Sequence, residues 1–202
     1  MRLARALLIW AGLALAIVVP LAFAATSEYL AWRDPVYIAA GFAGAMALCL
    51  VLVQPLLVGG WLPGLRQRSG RRVHRAFGVV LVAAVVVHVA GLWITSPPDI
   101  EDALLLRAPT PFSIWGVSAM WALFAAALLA AFRRRFSPRA WRVGHTSLVG
   151  IVVLGGVVHA LLIEGTMETT SKAVLCGLAI AATGAAVAAP RLRARRRARG
   201  KE

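Results

Sequence analysis

Residues 72–88 read RVHRAFGVVLVAAVVVH, and residues 141–159 read WRVGHTSLVGIVVLGGVVH. Each is an apolar run with a histidine near either end. His74 and His88 are fourteen apart, and so are His145 and His159; the chain has four histidines, so these pairs account for all of them. On an α-helix that spacing is close to four turns, so the histidines of a pair share a face and lie about 21 Å apart along the axis. Apolar runs of about 20 residues are long enough to cross a bilayer core. The two stretches therefore predict membrane-spanning helices with histidines at two matching depths.

The remainder of the chain agrees with a membrane setting. Of 202 residues, 60% are hydrophobic, only 8% are aromatic, and the mean hydropathy is +0.79. Small residues dominate, as suits helices that pack closely in lipid. Hydropathy predicts an all-α, integral membrane six-helix bundle, with spans at about residues 4–25, 35–58, 73–95, 111–132, 140–163 and 169–189. Of the 22 Lys and Arg, nineteen fall at the N-terminus, in the second and fourth connections and in the C-terminal tail, whereas Arg33, Arg107 and Lys172 fall on the opposite side with seven acids. By the positive-inside rule both termini are cytoplasmic, and the +14 net charge reflects topology and anionic lipid rather than nucleic acid. The chain is expected in the inner (plasma) membrane. It divides into a first span with its outer loop (1–34), a histidine-bearing transmembrane domain (35–190) and a basic cytoplasmic tail (191–202). The first span has some features of a signal peptide, with Ala22, Phe23 and Ala24 as an A-x-A site, but its length favours a retained helix. Trp32 and Trp93 are expected at the outer interface, and Trp61 and Trp141 at the inner one. Cys49 and Cys176 read as small core residues, and the connection 96–110 as a small lid on the outer side.

Spans three and five run the same way, so His74 meets His145 at one depth and His88 meets His159 at the other. Two histidines per depth match the axial ligation of two stacked b-type haems. A zinc site needs three or four ligands at one depth, and a proton relay usually recruits intramembrane acids, which these spans lack. The candidate cofactor-binding set is His74, His88, His145 and His159 as metal ligands, with Arg75 and Arg142 for the inner haem's propionates and Gly78 making room for the porphyrin. Arg71 and Arg72 crowd the same inner site, and Arg107 or Lys172 is available at the outer one. The facing stripes between the ligands are Gly78, Leu81 and Val85 on span three, and Val149, Val152 and Gly156 on span five.

His74-Arg75-x-x-Gly78 with His88, together with His145 and His159, resembles the ferric reductase-like transmembrane domain, over about residues 35–190. The resemblance implies that these histidines ligate two b-type haems and carry electrons outward from the cytoplasm. Full-length relatives append FAD- and NAD(P)H-binding domains, and this sequence carries no dinucleotide fingerprint. A flavin is therefore expected only through a partner: a soluble flavin reductase or reduced flavin as donor, with ferric iron or a periplasmic redox protein as acceptor. The chain is also similar to the haem-binding membrane subunit of the periplasmic methionine sulfoxide reductase system. A quinol-linked di-haem cytochrome b and a non-redox transporter or assembly protein remain as alternative readings.

Overall fold

The computed structural model describes residues 1–199, with the side chains of Arg2 and of residues 190–199 outside that description; the side chains of the expected basic tail, 191–202, therefore lie outside the described residues. Seven helices follow in order: α1 (Arg2–Ala25), α2 (Pro35–Gly59), α3 (Gln67–Thr95), α4 (Pro97–Leu104), α5 (Pro111–Ala131), α6 (Pro138–Leu162) and α7 (Thr169–Arg199). Six of them are long and apolar enough to span a membrane, and no strand occurs among the described residues. The seventh, α4, lies in the connection expected to form a lid and leans on the ends of α3 and α5. The helix α7 continues to Arg199, ten residues past the expected end of its span, and α3 begins at Gln67, six residues before the expected span. The first turns of α3 carry Arg68, Arg71 and Arg72, which hydropathy rejects but helix propensity accepts.

Local chemistry explains the helix starts. Proline occupies the first turn of α2, α4, α5 and α6, where its missing N–H costs nothing. The Asp34 carboxylate accepts from Val36 N (2.7 Å) to cap α2, and Ser137 Oγ accepts from Ala140 N (3.2 Å) to cap α6. Glu168 accepts from Ser171 N (2.6 Å) and Thr170 N (2.7 Å) at the start of α7, which holds its carboxyl down at about 2. Gly60, in the left-handed region at φ 68°, ends α2 and turns the chain toward α3.

Packing sorts the spans into two antiparallel hairpins, α2–α3 and α5–α6, with α7 against α2 and α6 and α1 at the periphery. Trp10 Nε1 donates to Pro63 O (3.3 Å), tying α1 to the α2–α3 turn. One buried layer joins Leu48, Cys49 and Leu52 of α2 to Val153 and Val157 of α6 and Leu175 and Cys176 of α7. Both cysteines are buried and unpaired, within this core. The connection 60–66, followed by Arg68, Arg71 and Arg72 in the first turns of α3, and the connection 132–137, with Arg133, Arg134 and Arg135, share one end of the bundle, called here the basic end; the α6–α7 connection and α4 mark the far end.

Close approach inside the first hairpin depends on glycine. A Cβ on Gly70 would stand 2.7 Å from the Leu57 carbonyl oxygen, and one on Gly91 would stand 2.7 Å from Ala40 Cβ. Ala is the better helix former by roughly 0.5–1 kcal/mol, but overpacking against a backbone atom costs about 1–3 kcal/mol. Gly70→Ala is therefore expected to lower the thermal midpoint of the detergent-solubilised protein. Gly12→Ala, at a site with open space, should leave it unchanged or raise it.

Candidate functional site

The two histidine helices are held by different partners. α3 packs along α2, and α6 along α5, whereas α3 and α6 make almost no close backbone approach to each other. The interval between them, called here the slot, is spanned by side chains. At the far end the His88 and His159 rings meet across it, with centroids 6.4 Å apart and planes at 78°.

Each far-end ring is fixed from behind by its own hairpin. His88 Nδ1 donates to the Ala40 carbonyl (2.8 Å) and His159 Nδ1 donates to the Phe112 carbonyl (2.9 Å). A carbonyl only accepts, so both rings carry the proton on Nδ1 and leave Nε2 as the nitrogen free to bind. Phe112 also packs its ring edge-on to His159 at 5.8 Å. One helical turn beyond each carbonyl stands a glycine against the ring. A Cβ on Gly44 would fall 2.8 Å from His88 Nδ1, and one on Gly116 would fall 2.6 Å from His159 Nδ1. Sequence reading missed both glycines and both carbonyls. A glycine in a transmembrane helix has many ordinary uses, and a backbone acceptor has no residue signature at all.

The basic end is built differently. His74 Nδ1 meets the side-chain amide of Gln54 on α2. His145 stacks on Trp141, with centroids 5.2 Å apart and planes at 10°, and its Nδ1 is buried with no hydrogen-bond partner. The Arg133 guanidinium lies 5.1 Å from the centre of the Trp141 ring. Trp141 is thus engaged with a histidine and an arginine. Below the histidines a cavity of about 730 Å³ is lined by Arg75, Arg133, Arg134 and Arg142 with Trp141 and Phe136. Arg75 and Arg142, singled out from sequence, do share this cavity. Arg72 does not: it lines a separate hollow with Arg66 and Arg68.

Other expectations are corrected or refined. Lys172 is not a free cation for the far end. It is buried, and its Nζ donates to the Ile163 carbonyl (2.6 Å), closing the end of α6. Arg107 is exposed. Trp61 tucks its ring under Gly59 and packs on the core, whereas Trp32 is fully exposed. Between the two histidine depths Leu50, Leu81, Leu123 and Val152 form a buried layer, with Val85 and Leu148 against it. Val149 belongs to the other core layer. Space for a Cβ is open at Gly156, while at Gly78 it would meet the Gln54 amide at 3.6 Å, so Gly78 lines the Gln54 contact.

A family model described as ferric reductase like transmembrane component matches residues 40–156. The chain belongs to the ferric reductase-like transmembrane family. The match begins at Ala40, whose carbonyl holds His88, and stops three residues short of His159. Searches of curated proteins and of solved structures give no match. Membership in this family, with six candidate spans, makes the chain a multi-pass membrane protein of oxidoreductase type and points to electron transfer across the membrane.

The far-end geometry fits the cofactor that such a family implies. Two imidazoles on one metal, each bonded at about 2 Å with its ring centre about 1.1 Å further back, have centroids roughly 6.3 Å apart. The observed 6.4 Å matches that span. Among the described residues no group of three or more His, Cys, Asp or Glu gathers at one point. Gly116→Ala should push the His159 ring off the Phe112 carbonyl and abolish haem retention at the far end. Gly150→Ala, on α6 with open space around it, should leave haem content unchanged. Haem content of the purified variants checks both.

Proposed function

We propose that this chain carries single electrons across the membrane with two b-type haems in the α3–α6 slot, one held by His74 and His145 and the other by His88 and His159. The far-end pair is the observation that carries this reading: two rings face each other across the slot at the span one metal requires, each with Nδ1 committed to a carbonyl. Haem iron, when bound, supplies reversible one-electron chemistry.

The protein's own residues position and insulate. Ala40 and Phe112 orient the far-end ligands and raise their basicity through the Nδ1 hydrogen bonds. The two imidazoles at each depth would hold the iron between them without a place for substrate, and the group would then supply outer-sphere electron transfer. Leu50, Leu81, Leu123 and Val152 keep water out between the two depths. Arg75 and Arg142, which line the basic-end cavity, would hold haem carboxylates through their guanidinium groups. The positive-inside rule makes that end cytoplasmic. Electrons then enter from a soluble flavin reductase or reduced flavin, which reconciles two-electron hydride donors with one-electron iron. They leave at the far end to ferric iron or a periplasmic redox protein.

Purified protein should contain two low-spin haems per chain. His88→Ala or His159→Ala should remove one spectral component, and His74→Ala or His145→Ala the other. One haem per chain, a high-spin spectrum, or a variant pattern that crosses the two depths counts against the assignment.

Donor docking on Arg133, Arg134 and their neighbours is electrostatic and weakens as the screening length contracts from about 10 Å at 0.1 M salt to about 3 Å at 1 M. Stopped-flow haem reduction by a soluble flavin reductase should therefore slow as salt rises. A rate independent of ionic strength would exclude a role for the basic face.

A further inference from the structure

Gln54 lies inside a membrane-spanning helix, five residues before the end of α2, and an intramembrane polar side chain is a functional candidate by default. Its position follows from the hairpin register. Ala40 holds His88 from α2; fourteen residues further along α2, opposite the histidine fourteen residues back along α3, stands Gln54 beside His74. On α5 the residue fourteen beyond Phe112 is Ala126, which has no amide to offer, and the His145 Nδ1 is without a partner. Gln54 is thus the one side-chain partner that the hairpins bring to a histidine Nδ1 among the described residues.

The amide has two orientations with opposite consequences. With its nitrogen toward His74, it donates to Nδ1 and to the His74 carbonyl (3.2 Å), while its oxygen accepts from Gly78 N–H (2.9 Å). Every neighbour is then satisfied, but Nδ1 is an acceptor, so the ring proton sits on Nε2 and blocks that nitrogen. With the amide turned over, its oxygen faces Nδ1, which keeps the proton, and Nε2 is free to bind; that oxygen then also faces the His74 carbonyl and the amide nitrogen faces Gly78 N–H, so this orientation needs the bond at Nε2 to hold it. The far-end carbonyls of Ala40 and Phe112 have no such second orientation.

We propose that Gln54 is the positioning residue of the basic-end site: its amide turns to accept the His74 Nδ1 proton when Nε2 binds iron, and thereby tunes that haem alone. A hydrogen bond to the distal nitrogen of a ligating histidine raises its basicity, which favours ferric over ferrous iron and lowers the potential. The inference rests on the two-haem reading.

The test is a redox titration with electron paramagnetic resonance on full-length, haem-loaded protein in detergent. Gln54→Leu removes the acceptor. The basic-end midpoint should rise and its low-spin signal should shift, or that haem alone should be lost, with the far-end haem unmoved as an internal reference. Gln54→Glu keeps an acceptor oxygen in either protonation state and should retain the haem at or below the wild-type potential. Gln54→Leu leaving the basic-end midpoint unchanged or lowered would overturn the proposal. So would both haems moving together, or Gln54→Glu matching Gln54→Leu. Wild-type protein with a single haem would sink this inference and the two-haem reading together; two haems insensitive to Gln54 would sink this inference alone.

Discussion

The slot exists because α3 and α6 are each bound to another helix rather than to one another. α2 grips α3 at Gly70 and Gly91, where backbone and methyl groups approach too closely for any side chain. On the other side, Gly155 lets α6 come within reach of the Trp115 carbonyl and Ala119 of α5. In lipid no hydrophobic drive pulls helices together, so such close contacts set which pairs form. Once those pairings are made, the histidine faces are left looking at each other across a gap. Leu50, Leu81, Leu123 and Val152 fill its middle.

The two ends of the slot answer different needs. At the far end both rings are locked by carbonyls that belong to regular helix and cannot rotate. Preorganised ligands of this kind hold a metal site without relying on flexible side chains. At the basic end the supports are a rotatable amide, an aromatic ring and a ring of arginines around an open cavity. Its ligand environment is the adjustable one. It also faces the end at which a charged partner docks in the proposed direction of transfer.

Lys172 and Glu168 show the same economy at the far-end connection. Lys172 spends its charge on the Ile163 carbonyl at the end of α6, and Glu168 caps the start of α7. The two polar groups that sequence order places beside the far-end site thus close helix ends.

The sequence alone determined the all-helical class, the six spans, the four histidines and their two matched depths. Hydropathy and a fourteen-residue spacing on one helix are local properties, and they survive any arrangement of neighbours. It also placed Arg75 and Arg142 near one end, since residues adjacent to a ligand travel with it. What only the tertiary structure decided is which groups stand behind the ligands: the Ala40 and Phe112 carbonyls, the notches at Gly44 and Gly116, the Gln54 amide and the Trp141 ring. It also removed Lys172, Val149 and Arg72 from the roles their order had given them. Backbone carbonyls occur at every residue, and a glycine or glutamine gains its meaning from what faces it. Facing partners are fixed by the register of one helix against another, which depends on atoms far apart in the chain.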